Sequence, residues 1–225
     1  MTSTLEALNL KKNNLIGHIP DMFPNSCVLS TLNFHGNLLH GPIPKSLSHC
    51  SSIEVMDIGS NQIMGRFPCF LKNIPTLKVL VLKNNKFHGS IKCSHSVDIK
   101  PWKMIQIMDI SFNNFNGKLP ENHFRNWERM MHDEDVVQMQ LHYFLSYYQF
   151  DATILLEKQD SVTITCKGRQ ELVKILIFFK VIDFSSNSFE GPIPKVLMDF
   201  KGLYVLNFSN NALSGEIPSS IGKLK

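Results

Sequence analysis

The sequence predicts an α/β solenoid, a superhelix of stacked coils with a parallel β-sheet along its concave face, interrupted by one non-repeat island. Two observations carry this. One template recurs seven times: Leu5–Pro20 (LEALNLKKNNLIGHIP) returns at Leu29–Pro44, Ile53–Pro68 and Leu77–Lys92, each copy starting 24 residues after the last, and again at Ile105–Pro120, Phe179–Pro194 and Leu203–Pro218. A fixed period of this length is the signature of a solenoid. The second observation is where the pattern stops. No copy occurs over 121–178, so the chain divides into five repeats over 1–120, an insertion over 121–178 and two repeats over 179–225.

Within a copy, positions 1, 4, 6, 11 and 15 are apolar, position 9 is Asn, position 13 is Gly and position 16 is usually Pro. Positions 4 and 6, Leu8 and Leu10 in the first copy, alternate with outward Ala7, Asn9 and Lys11 as a short strand with one buried face. The chain must then bend, which frees backbone N–H and C=O groups. The Asn at position 9 (Asn13, Asn37, Asn61, Asn85, Asn113, Asn187, Asn211) is expected to turn inward and satisfy them. The Gly at position 13 takes a backbone geometry that other residues resist. The Ile-Pro that follows breaks helix and starts an extended or turning return path. No copy can bury its apolar stripe alone, so neighbours must stack.

Four of the five cysteines fall in the first four repeats. Cys69 and Cys93 share one template position in adjacent coils, which stack about 5 Å apart, within reach of a disulfide. Cys27 and Cys50 are offset by one position and could also meet; the alternative is that each is a small buried apolar side chain. Cys166 is left over in the insertion, and without a paired C-x-x-C motif a cysteine metal site is not expected. Before the fifth repeat the chain is longer by four residues, and Ser94–Pro101 reads as a longer convex loop.

The insertion opens with Phe124, Trp127 and Met131 at helical spacing, an expected amphipathic helix. His132-Asp133-Glu134-Asp135 reads as a solvated charge run or a metal cluster, the former favoured. The aromatic segment holding Tyr143, Phe144, Tyr147, Tyr148 and Phe150 suits a satellite core or a binding surface. Val162, Ile164 and Cys166 then alternate as a strand ending at Lys167-Gly168.

Composition excludes some function classes. A net charge of +4 spread among repeats is not the concentrated basic stripe of a nucleic-acid binder. The longest apolar stretch, Val173–Phe184, is interrupted by Lys174, Lys180 and Asp183 and is shorter than the roughly 20 residues of a membrane helix. There is no phosphate-binding Gly loop and no G-x-S-x-G elbow, so neither an enzyme nor a cofactor is expected. Met1 is followed directly by a repeat, with no secretory signal pattern, and the last copy runs to the end of the sequence. The expectation is an internal stretch of a longer protein or a truncated product.

On the recurring L-x-x-L-x-L-x-x-N-x-L-x-G-x-I-P, the chain resembles plant extracellular leucine-rich-repeat proteins. The insertion sharpens this: SVTITCKG, ELVKIL and IDFSSNSFEGPIP resemble the island of plant receptor-like proteins, which ends in a Tyr, eight residues and Lys-Gly. Here the Tyr slot before Lys167 and Gly168 holds Lys158, with Tyr147 and Tyr148 nearby. The resemblance implies a kinase-lacking receptor at the extracellular side of the plasma membrane, acting in immune or developmental signalling. It would bind an extracellular peptide or protein ligand and a co-receptor kinase. Binding would use the island and the concave face, where Lys11, His35, Asp57, Val81, Lys83, Asp109, Asp183 and Asn207 are outward, though the Asp or Asn between positions 4 and 6 is often a structural ladder residue. Asn207-Phe208-Ser209 is a glycosylation sequon on that face. A secreted inhibitor of microbial cell-wall-degrading enzymes uses the same repeats and is the alternative.

Overall fold

The computed structural model describes residues 4–93, 102–132, 161–166, 169–174 and 180–224. The start of each copy forms a strand: β1 (Ala7–Asn9), β3 (Thr31–Asn33), β5 (Val55–Asp57), β7 (Val79–Val81), β9 (Ile107–Asp109), β13 (Lys180–Asp183) and β15 (Leu203–Asn207). These lie side by side in chain order as one parallel sheet. Equal template positions are partners, so Leu8, Leu32, Met56, Leu80, Met108, Ile182 and Leu206 form one row across it. The chain is thus a plant-type leucine-rich-repeat solenoid in its described repeats.

The return path is more ordered than the sequence reading anticipated. A second parallel sheet runs in the same order through β2 (Ile16–Gly17), β4 (Leu38–Gly41), β6 (Gln62–Gly65), β8 (Lys86–Ser90), β10 (Asn114–Lys118), β14 (Ser188–Gly191) and β16 (Ala212–Leu213). Its signal is the apolar position 11 between outward positions 10 and 12. Leu38–Gly41 accordingly alternates exposed and buried.

The core fills the space between the sheets. Phe87, Phe115 and Phe189, all at position 11, stack with centroids 6.0 and 6.3 Å apart and are almost fully buried. On the convex side, short 3₁₀ turns follow the proline in the second, third and sixth copies, and Leu47, Leu71 and Leu197 close the core from there. Cys27 is joined to Cys50 and Cys69 to Cys93, Cα to Cα 4.7 and 5.3 Å, tying successive convex turns.

At the start of the insertion, the expected single helix is two: α1 (Glu121–Phe124) and α2 (Glu128–Met131), divided by the non-helical backbone of Trp127. The break lets Phe124 and Trp127 point inward against Phe184 and Phe200 of the sixth repeat, and Met130, in place of the expected Met131, is the fully buried methionine. Because α1 follows Pro120 as the 3₁₀ turns follow Pro44 and Pro68, this span serves as the convex turn of the fifth repeat. Further on, β11 (Ser161–Cys166) and β12 (Arg169–Lys174) pair antiparallel, from Ser161 opposite Lys174 to Cys166 opposite Arg169. The Ser94–Pro101 loop, the acidic run from Asp133, the aromatic segment, Tyr147, Tyr148, Lys158, Lys167 and Gly168 lie outside the described residues.

A candidate binding face on the concave sheet

Three side-chain columns run along the concave sheet. At position 5, the side-chain oxygen Oδ1 of Asn33, Asp57, Asp109, Asp183 and Asn207 accepts the N–H of the residue two further on, at 3.0 to 3.1 Å. The Asx group holds the bend at the strand end, so its first task is structural. Val81 cannot make this bond, and the column is broken there.

Position 7 lies beside it and carries Lys11, His35, Gly59, Lys83, Ser111, Ser185 and Ser209. His35 Nδ1 is 3.1 Å from Asp57 Oδ1, and Lys83 Nζ is 3.7 Å from Asp109 Oδ2. Gly59 makes this convergence feasible: a Cβ there would lie 3.0 Å from His35 Nδ1 and 3.1 Å from Lys83 Cγ. Asp109 is fully buried, and its Oδ2 has no hydrogen-bond partner among the described residues. Burial first, and the neighbouring Asp183 charge second, push its carboxyl up to about 6, against the opposing pull of Lys83 and the Ser111 hydrogen bonds.

The third column, position 3, was not singled out from the sequence. Val55, Val79, Ile107 and Val181, joined by Val81, form an apolar cluster separate from the main core. The signal is in the sequence: an apolar β-branched residue recurs at this outward strand position in five consecutive copies, from Val55 to Val205.

The concave candidates are less accessible than expected. His35, Asp57, Val81, Lys83, Asp109 and Asp183 face away from the main core yet are buried, while Lys11 in the first repeat is partly exposed. This burial extends across the middle of the sheet, from the second to the sixth repeat. Asn207 is half-buried, and its Nδ2 donates to Asp183 Oδ2 at 3.1 Å. Among the described residues, no group of three or more His, Cys, Asp or Glu side chains is placed to hold a metal ion, and no helix is long and apolar enough to cross a membrane. A cleft of about 560 Å³ lies between the second sheet and α1, lined by Lys92, Lys118, Glu121 and His123 among others.

Residues 4–26, 28–50 and 202–224 match the Leucine Rich Repeat family. Receptor-like protein 34 of Arabidopsis thaliana is 40% identical over 106 residues, 46% of this chain and 10% of that protein. Receptor-like protein 52 of Arabidopsis thaliana is 41% identical over 114 residues, 49% of this chain and 13% of its own length. The chain therefore spans about a tenth of the curated relatives it matches. Among solved structures, the plant peptide hormone receptor RGFR1 in complex with RGF2 is similar with a TM-score of 0.68 and 25% identity, over 97% of this chain and 26% of that one. The Arabidopsis receptor kinase HAESA, in complex with the peptide hormone IDA and the co-receptor SERK1, is similar with a TM-score of 0.66 and 25% identity, over 97% of this chain and 28% of that one.

Proposed function

We propose that this chain, which is similar to plant receptor-like proteins over nearly half of its length, is part of a ligand-binding leucine-rich-repeat ectodomain held at the extracellular side of the plasma membrane. It works by recognition, not catalysis. The observation that carries the reading is the 40% identity to a receptor-like protein over 106 residues. The likeness to two receptor ectodomains whose complexes contain peptide hormones supports a peptide or protein ligand. A solenoid suits this task because its rigid strands present side chains in columns along an extended partner.

Signalling then runs through a co-receptor kinase, as the HAESA complex with SERK1 suggests by likeness, in immunity or development. The five repeats, the island and the two later repeats form one ectodomain stretch, and Asn207 carries a glycan through the amide hydrogen it exchanges, keeping the other for Asp183. Lys11 offers the accessible point on the concave face for a test. A photo-crosslinking residue at Lys11 of the cell-surface protein should give covalent adducts with an extracellular peptide or protein, and the same group at the exposed convex Lys45 should not. Equal labelling at the two positions, or none at Lys11, would remove the concave face as the binding surface.

A further inference from the structure

The fifth and sixth repeats meet directly although the insertion separates them in sequence. Strands β9 and β13 pair in parallel, with Ile107, Met108 and Asp109 opposite Val181, Ile182 and Asp183. Two buried carboxylates are thereby set side by side on adjacent rungs. Their inner oxygens are held alike: Asp109 Oδ1 accepts from the Ser111 N–H at 3.1 Å and hydroxyl at 2.6 Å, Asp183 Oδ1 from the Ser185 N–H at 3.0 Å and hydroxyl at 2.6 Å. The outer oxygens differ. Asp183 Oδ2 accepts from Asn207 Nδ2, whereas Asp109 Oδ2 accepts no hydrogen bond among the described residues, and the Lys83 ammonium 3.7 Å away is beyond hydrogen-bonding length.

The charges around Asp109 can be named strand by strand among the described residues. Lys83, just past β7, is the cation on one side, and Asp183 on β13 is the anion on the other. Further along, Asp57 on β5 is engaged with His35 past β3, and Asn207 on β15 is neutral. A fully buried carboxylate with a like charge beside it, a loose ion pair and an unfilled acceptor is more stable neutral than charged.

We propose that Asp109 is a proton acceptor that makes the joint between the fifth and sixth repeats responsive to pH. Charged, it repels Asp183 across the β9–β13 pair. Protonated, it is neutral and its outer oxygen becomes a donor, so the two repeats hold together more firmly. The raised carboxyl, at about 6 against an ordinary 3.8, agrees with this geometry. Because the folded value lies above the unfolded one, the folded chain holds the extra proton between them. The stabilisation is complete below about 3.8 and is lost as the pH rises through about 6.

Urea unfolding of the whole chain between pH 4.5 and 7.5, beside Asp109→Asn, tests this. Asn keeps the Oδ1 acceptor and is the residue the same position uses at Asn33 and Asn207. Relative to the variant, the wild-type unfolding equilibrium constant should rise up to about tenfold per pH unit as the pH climbs toward 6, and level off above it. Comparison with the variant cancels contributions from the rest of the chain. Parallel curves for the two proteins would overturn the proposal. Should the variant not fold, carbon-13 carboxyl NMR of the wild-type chain decides: a midpoint near 6 for Asp109 supports the proposal, and one below about 4.5 overturns it.

Discussion

Asn113 contains in one side chain most of what the repeat asks of its asparagine. Its carbonyl accepts the Phe87 N–H of the preceding repeat at 3.0 Å, and its Nδ2 is 3.1 Å from the carbonyls of Leu82, Ile110 and Ser111. The buried Phe87 N–H relies on this amide, while the three carbonyls also accept from Asn85 Nδ2, Asn187 Nδ2 and the Asn84 N–H. Asn13 bonds, among the described residues, to Leu10 and Lys11, in the open. Asn113→Ala should lower the unfolding free energy by about 3 kcal/mol and Asn13→Ala by less than about 1 kcal/mol, since unsatisfied buried groups are costly and solvated ones are not. Equal losses in urea titrations would mean that the asparagine acts through propensity and not through burial. Two other residue-scale features were hidden from the sequence. Position 8 is left-handed in every copy, yet glycine fills it only at Gly36, with Lys12, Ser60, Asn84, Phe112, Ser186 and Asn210 elsewhere. At Gly41, also left-handed, a Cβ would lie 2.1 Å from Cδ2 of the exposed His18 ring, which would have to swing aside.

At the scale of elements, the disulfides act where the convex turns have little else. The Lys45–His49 and Cys69–Asn73 turns each bury one side chain, Leu47 and Leu71. Each bridge closes a loop of 23 or 24 residues, and by loop entropy each contributes about 3 kcal/mol. Replacing Cys69 and Cys93 together by Ser should therefore lower the urea midpoint clearly, and dithiothreitol should then produce only a further loss of similar size, due to Cys27–Cys50. A double variant as stable as the parent would show that stacking alone sets the convex geometry. The concave strands were legible because their period is written seven times. The second sheet was not, because its strands are only two to five residues long and most run into the Gly that reads as a turn. The span 121–131 was read as insertion because the template ends at Pro120, whereas Phe124, Trp127 and Met130 complete the core of the fifth repeat, the two rings packing on residues far ahead in sequence. The burial of the concave columns was illegible for the same reason: alternation says which way a side chain points, not whether it stays wet.

Taken as a whole molecule, a solenoid is held together by contacts between neighbours, so its continuity need not depend on the chain that links two of them. The joint between the fifth and sixth repeats is the case to test. It contains the β9–β13 and β10–β14 pairings, the Asn187 Nδ2 bond to Ile110 O at 3.1 Å, the Phe115–Phe189 stack and the bond from Lys201 N–H to Met130 O at 2.9 Å. These include backbone ladders in both sheets and several fully buried aromatic rings, enough apolar area to hold two fragments without a covalent link. A single protease site placed within residues 140–150, cut after folding, should leave the two pieces eluting together from a sizing column and separating only in denaturant. Asp109 adds a condition to this outcome, because its charge weakens the same joint: dissociation of the nicked chain should be slower at pH 5 than at pH 7.5. Pieces that part at once on cleavage would show that the insertion, and not the register of the repeats, carries the load between the two halves.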